Sequence, residues 1–417
     1  MKTRSIALVL CIVLMFTLLV PCLSGCGVTA GATDLMSGIR SKTITASATI
    51  HDYNEEVIDF SVRLFQNCVS SNAGSMISPI SVLCALAITA NGADGDTFAQ
   101  MEEVIGGSIP ELNEYLSVYM KSLPSDRKNK LSIANSIWFK DDEGFIANKD
   151  FLQLNADYYN AAIYKSSFDD NTLKAINSWV KTQTDGMIEN ILDRIPPLAV
   201  MYLINAMAFD AEWQTVYQGN QVRLGTFTAV SGNQRHVNMM YSSDYAFLDD
   251  GNATGFIKNY SGGRYAFAAM LPNDGVDIYN YVAAMTGQSL YDTLGNTRRI
   301  KVNTAIPKFE SEYSLEMSDV LAGMGISDAF DMSFANLTKL GSSPSGNLYI
   351  SRVLHKTFIS MDERGTKAGS STVAQVQVSS TPAPEEAKTV YLDRPFVYMI
   401  IDLDTRIPLF IGTVLDI

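Results

Sequence analysis

From Tyr53 the apolar residues Val57, Phe60, Leu64, Phe65 and Cys68 recur at helical spacing, which predicts an amphipathic helix. Ser78 followed by Pro79 is an N-cap and first-turn pair, so a second helix opens there and the Asn91-Gly92 dipeptide closes it. The period then drops to two. Leu131, Ile133, Asn135, Ile137 and Phe139 alternate with Ser132, Ala134, Ser136 and Trp138, and Met201, Leu203, Asn205, Met207 and Phe209 repeat the pattern. Helical stretches lie between them at 148–158 and 171–184. Further strands are expected over 254–271 and 298–310, and two more from Phe396 around Leu403-Asp404-Thr405. Helices cluster early and strands dominate late, which argues for an α+β domain rather than a doubly wound sheet.

The first 26 residues break the pattern. Lys2 and Arg4 precede an uninterrupted apolar or small run from Ile6 to Val20, which reads as an export signal and is short for a membrane span. Leu23-Ser24-Gly25-Cys26 resembles the lipobox of bacterial lipoproteins, in which the Cys thiol receives diacylglycerol and becomes the mature N-terminus. An ordinary cleaved signal with an incidental Cys26 is the alternative. Residues 27–50 are mostly Gly, Ala, Ser and Thr without a hydrophobic period, so they are expected to be a flexible tether, with the folded domain at 51–417. The location implied is extracellular or cell-surface, held to a membrane by lipid.

Charge narrows the partners. The chain carries 44 acidic and 31 basic residues, a net charge of -13, which lacks the basic footprint a nucleic acid needs. Beyond Cys26 only Cys68 and Cys84 remain, both in apolar helical patterns and expected in the core, with a disulfide between them as the alternative. Their separation is not that of a metal site. The chain's histidines are His51, His236 and His355, and no G-x-S-x-G elbow, phosphate loop, H-E-x-x-H or paired C-x-x-C occurs. These absences argue against an enzyme, and no cofactor or metal is expected.

One segment fits neither period. Ala368 to Pro384 is seventeen residues without a charge, rich in Ser, Thr, Val, Ala and Gln, ahead of a strand start at Pro395-Phe396. A loop this long within a domain is usually functional or disordered. Counting by twos from Thr366 gives Ala368, Ser370, Thr372, Ala374, Val376 and Val378, all small or apolar. The other parity carries Lys367, Gly369, Ser371, Val373, Gln375 and Gln377, a set that tolerates water. A strand pushed into a buried sheet needs this alternation, and a slip of one residue would bury Lys367. A low-complexity exposed loop is the bland alternative.

Several stretches, in order, are similar to the serpin family: "NAGSMISPISVLCALAITANGADGDTFAQM" at 72–101, then "LSIANSIWFK", "INSWVKTQTDGMIENIL", "LINAMAFDAEW", "IPKF", "ISRVLHKTFISMDERGTKAG" and "DRPFVYMI". The resemblance covers 51–417 and implies a metastable fold of three β-sheets and about nine helices, with an exposed reactive-centre loop at about 364–390. It implies a monomeric, irreversible suicide-substrate inhibitor that a target protease attacks, forming a covalent acyl-enzyme before the loop inserts. The hinge maps to Glu363, Gly365, Thr366, Ala368, Ser370 and Thr372. Arg364 and Lys367 stand where the family usually has Glu, and Gly369 interrupts a run normally of Ala. The family spacing puts the reactive bond between Ser379 and Ser380. The segment is about five residues longer than common members, so Val378, Thr381 and Ala383 are neighbouring alternatives. A small or Val residue before the bond suits elastase-like or subtilisin-like enzymes. The family's shutter maps to Ser78, Ser81, Asn205 and His355, and its breach to Trp213, Lys308 and Glu363. The competing reading is a serpin-fold surface lipoprotein that no longer inhibits and serves as a binding or carrier module.

Overall fold

The computed structural model describes residues 31–42, 44, 53–70, 73–124, 126–142, 144–366 and 386–417. Seven strands form the central sheet, in spatial order β1 (Ala32–Asp34), β5 (Ala162–Ser166), β3 (Asn129–Lys140), β6 (Met201–Glu212), β16 (Gly365–Thr366), β15 (Arg352–Met361) and β13 (Phe309–Glu316). A second sheet of six runs β2 (Met76–Ile77), β19 (Pro408–Val414), β18 (Phe396–Asp402), β11 (Tyr265–Pro272), β10 (Ala253–Asn259) and β9 (Phe247–Asp249). The third has four, β17 (Lys388–Tyr391), β12 (Val302–Pro307), β8 (Gln234–Asp244) and β7 (Val222–Thr228). A two-stranded ribbon pairs β14 (Gly341–Ser342) with β4 (Ile146–Ala147).

Nine α-helices occur among the described residues: α1 (Asn54–Cys68), α2 (Pro79–Ala90), α3 (Gly95–Ile105), α4 (Ile109–Ser122), α5 (Lys149–Tyr159), α6 (Asp170–Gln183), α7 (Ile278–Ala284), α8 (Gly287–Gly295) and α9 (Ser318–Met324). The α+β expectation, with three main sheets and nine helices, agrees with this architecture.

Helix α2 is apolar all round and every one of its residues is buried, as a helix enclosed by other elements must be. It packs against β3 and β6 on one side and β19 on the other. Ser78 stands at its N-cap position, yet its side chain caps no backbone N–H and its hydroxyl faces the Met207 sulfur instead. Sequence reading expected a cap; burial against the sheet redirects the hydroxyl.

Strand β6 is buried on both faces, all but Asp210. Leu203, Met207 and Phe209 enter the main core, while Tyr202, Ile204 and Ala206 join a smaller cluster with Ile176, Trp179 and Val180 of α6. Helix α6 is anchored by a capping box between Asp169 and Thr172 and lies across that second face.

Within the stretch expected as a flexible tether, 27–50, the described residues include a short strand. Residues 32–34 pair antiparallel with β5, Ala32 opposite Ser166 and Asp34 opposite Tyr164. The Leu35 N–H continues to the Ile163 carbonyl (2.9 Å), and the Lys42 N–H reaches Asp157 Oδ1 (2.7 Å). Edge pairing uses backbone groups, so it leaves no hydrophobic period to read, and without β1 the donors of β5 would be an open edge.

Candidate functional site at the open end of the central sheet

At the middle of the central sheet, β6 and β15 run parallel and pair directly from Tyr202 opposite Arg352 to Ala208 opposite Phe358. Above that they part, and β16 fills the gap, antiparallel to both: Gly365 opposite Glu212, and Thr366 opposite Ala211 and Met361. Extending β16 downward would replace one parallel ladder with two antiparallel ones, which are slightly more stable per residue. In this structure β16 stops where β6 and β15 begin to pair directly.

Gly365 is the residue this entry demands. Its φ is +155°, and a Cβ there would stand 2.0 Å from the Ala211 carbonyl oxygen. Thr366 follows, fully buried, its hydroxyl 2.6 Å from Tyr260 Oη. The face assigned to Thr366 from parity is therefore the core face.

Trp213 closes the opening from behind. Its ring stacks on Tyr260 at 4.5 Å, Nε1 donates to the Asp362 carbonyl (2.9 Å), and its backbone N–H donates to the Arg364 carbonyl (2.8 Å). The Tyr217 N–H holds the Glu363 carbonyl at 3.0 Å. Lys308 pairs with Glu363 as expected, and its ammonium holds that carboxyl below the usual carboxylate range. Both partners are about a third exposed, so the pair contributes at most about 1 kcal/mol and acts chiefly on the hinge's position.

Lower down, the four residues expected to gate the sheet meet in one buried network. The Ser78 N–H donates to His355 Nε2 at 3.1 Å, so the ring proton sits on Nδ1 and goes to Asn205 Oδ1. Ser81 Oγ lies 2.9 Å from Asn205 Oδ1 and 3.0 Å from the Ser78 carbonyl. Asn205 Nδ2 donates across to Asn135 Oδ1 on β3, a partner the sequence reading did not assign. Its signal was a polar side chain on the otherwise apolar parity of that strand.

Burial pushes the His355 imidazole down to about 3 from its ordinary 6.5. Below pH 6.5 the unfolded chain takes a proton that the folded ring refuses, so stability falls as pH falls through that window. At pH 5 the loss from this group is expected to be about 2 kcal/mol. Urea unfolding at pH 7 and pH 5 should show a steeper pH loss for the wild type than for His355→Gln; equal losses would contradict the assignment.

The register fixes where each further residue of an extended β16 would land. Opposite β6, Ala368 would meet Phe209, Thr372 would meet Asn205, and Val376 would meet Met201. Opposite β15, Thr372 meets His355 and Val376 meets Ser351. The two counts agree, because Ser351 N–H already bonds the Met201 carbonyl at 2.9 Å. Thr372 would therefore enter between Asn205 and His355 and break their hydrogen bond. On the opposite parity, read as a set that tolerates water, Ser371, Val373 and Gln375 would lie beside Ala206, Ile204 and Tyr202, under α6. Only Lys367, level with Asp210, would stay outside that cover.

Ala368, Ser370 and Thr372 of the hinge lie outside the described residues, as do Val378, Ser379, Ser380, Thr381 and Ala383 around the expected bond, and Cys26. Cys68 and Cys84 are free thiols in the core, each pushed up to about 12 by burial, so the disulfide alternative is not realised. Among the described residues no cluster of His, Cys, Asp or Glu could hold a metal ion, and no helix is long and apolar enough to cross a membrane.

Comparison with known proteins adds a family, two relatives and two solved structures. The family model described as serpin (serine protease inhibitor) matches residues 55–417. A serpin-like protein of Thermococcus kodakarensis is 29% identical over 86% of this chain and 84% of its own length, and neuroserpin of Rattus norvegicus is 25% identical over 91% and 95%. The crystal structure of the thermophilic serpin tengpin in the native state is 46% identical, covers 93% of this chain and 100% of its own, and superposes with a TM-score of 0.88. Tengpin in the latent state, 44% identical and covering 89% and 100%, gives 0.78.

Proposed function

The chain belongs to the serpin family, and from that membership we propose that it is an irreversible suicide-substrate inhibitor of extracellular serine proteases, and of cysteine proteases through the same acyl chemistry. Serpins act on target proteases. The observation that carries the reading for this chain is the two-residue β16, already antiparallel to β6 and β15 above a parallel pair it can part.

In this reading the target's nucleophile attacks the carbonyl of Ser379 and expels the Ser380 amine, leaving an acyl-enzyme. The freed strand then enters below Thr366 and carries the enzyme down the sheet before water can release it. The eleven residues from Thr366 to Val376 span about 35 Å at ~3.3 Å each, the length of β6. No residue of this chain acts as a catalyst. Small or Val side chains ahead of the bond fit shallow primary pockets of the elastase or subtilisin kind and leave a trypsin-like pocket unfilled.

The protein acts as a monomer, without nucleic acid or cofactor. It is carried outside the cell on a lipid attached to Cys26, and Cys26→Ser should move it from the membrane fraction to the supernatant. Incubation with elastase-like and subtilisin-like proteases should give a covalent complex that survives denaturant, with mass spectrometry placing the cut between Ser379 and Ser380 or at the neighbouring Val378, Thr381 or Ala383. Clean cleavage with full protease activity would replace inhibition by the binding-module reading.

A further inference from the structure

Four of the five most exposed large apolar side chains among the described residues are Leu198 (83%), Ile146 (69%), Phe334 (68%) and Met332 (63%). Three sit in loops and Ile146 in the short strand β4, all at one end of the central sheet. Lys140, Ser166, Met201 and Arg352 mark that end of β3, β5, β6 and β15. Leu198 lies three residues before β6, and its carbonyl accepts from Tyr349 Oη at 3.3 Å. Ile146 follows β3 in the ribbon with Ser342. Asn347, just ahead of β15, donates to the Met332 carbonyl at 3.2 Å. The opening for β16 is at the opposite end of β6.

Strand β1 enters the sheet at this same apolar end, Ala32 opposite Ser166. Gly31 lies against Asn171 at the start of α6. Between Cys26 and Gly31 the chain can stretch at most ~18 Å, about 3.6 Å per residue. A lipid on Cys26 therefore keeps this end within a short reach of the bilayer, where a tether running to residue 50 would not.

We propose that the apolar end carrying Leu198, Ile146, Met332 and Phe334 rests in the interface of the bilayer that holds the Cys26 lipid, with the β16 opening pointing away from the membrane. This inference rests on the lipidation reading above. The contact is apolar rather than electrostatic: Lys165 and Arg352 at this end are already paired with Asp141 and Glu316, and the chain is acidic as a whole. Isolated apolar side chains on a protein surface are ordinary, but four gathered where a short anchor ends have a surface within reach. The same end is where the register delivers a trapped enzyme, so resting on the bilayer and holding the enzyme exclude one another. Releasing the three residue pairs of β1 would lengthen the tether.

The test is amide hydrogen exchange on the lipoprotein purified from cell membranes into phosphatidylcholine vesicles, compared with the same chain without lipid. In parallel, the mature chain is coupled through Cys26 to a maleimide lipid in the same vesicles; Cys68 and Cys84 are buried and do not compete. Exchange at 195–200 and 331–336 should slow by about tenfold or more in vesicles, while exchange at 222–228, which contains the exposed Leu224, stays unchanged. Coupled Leu198→Ser/Phe334→Ser chain should exchange as the free protein does. Equal exchange at both regions in the coupled chain overturns the proposal. Slowing that appears without vesicles as protein concentration rises assigns the face to a second copy and also overturns it. Mass spectrometry of the N-terminal peptide reads lipidation separately, so failure there leaves the coupled arm to decide the orientation.

Discussion

Thr372→Arg should turn the protein from an inhibitor into a substrate. In the register set by Thr366 opposite Ala211 and Met361, position 372 falls between Asn205 and His355, both fully buried. A guanidinium delivered there is midway along β6 and finds no carboxylate in the network, whose acceptors are neutral: the amide oxygens of Asn205 and Asn135, two hydroxyls and an imidazole. Removing one partner of a buried ion pair costs about 3–5 kcal/mol, and a buried charge with no partner is of that order. If about 3 kcal/mol of this appears in the barrier to insertion, that step slows by about a hundredfold while deacylation is untouched. The number of inhibitor molecules consumed per enzyme trapped is one plus the ratio of deacylation to insertion, so its excess over one should rise by the same factor. Titration of a susceptible protease with wild type and variant measures it directly, and an unchanged stoichiometry would contradict insertion in this register. Thr366→Arg is a less clean test: Thr366 is already buried against Tyr260, so the resting fold would suffer first.

Cutting the loop without trapping an enzyme should raise the melting temperature. A nick frees the strand to extend β16 past Thr366, exchanging the parallel ladder of β6 and β15 for two antiparallel ladders and burying the small parity Ala368, Ser370, Thr372, Ala374 and Val376. A net gain of about 10 kcal/mol, comparable to the whole stability of an ordinary domain, would raise the midpoint by about 10 °C or more. Calorimetry of intact and nicked protein decides this. A nicked chain that melts with the intact one has not taken up the strand, and the central sheet would then hold no unused capacity.

The elements most legible in the chain were those whose side chains must satisfy a core. Helix α2 was expected from Ser78-Pro79 to Asn91-Gly92 and runs Pro79–Ala90; the alternating runs at 131–139 and 201–209 lie within β3 and β6. The hinge was placed by resemblance, and the structure supplies its physical reason, a positive φ at Gly365 and a buried side chain at Thr366. Resemblance, rather than periodicity, singled out Ser78, Ser81, Asn205 and His355, and the structure brings the four into one network. Asn135 was missed as their partner because its role depends on β3 lying beside β6.

Side-chain alternation and backbone punctuation act over a few residues, so the sequence pattern alone determined helices α1, α2, α5 and α6 and the long strands β3 and β6, while the hinge glycine came from resemblance. Three features were decided only in the folded molecule: the parallel pairing of β6 with β15, the cover of α6 over one face of β6, and the capture of residues 32–34 by β5. Each depends on which distant surfaces are left unpaired once the sheet has formed. That information is held by backbone donors and contact across hundreds of residues, and no local period records it.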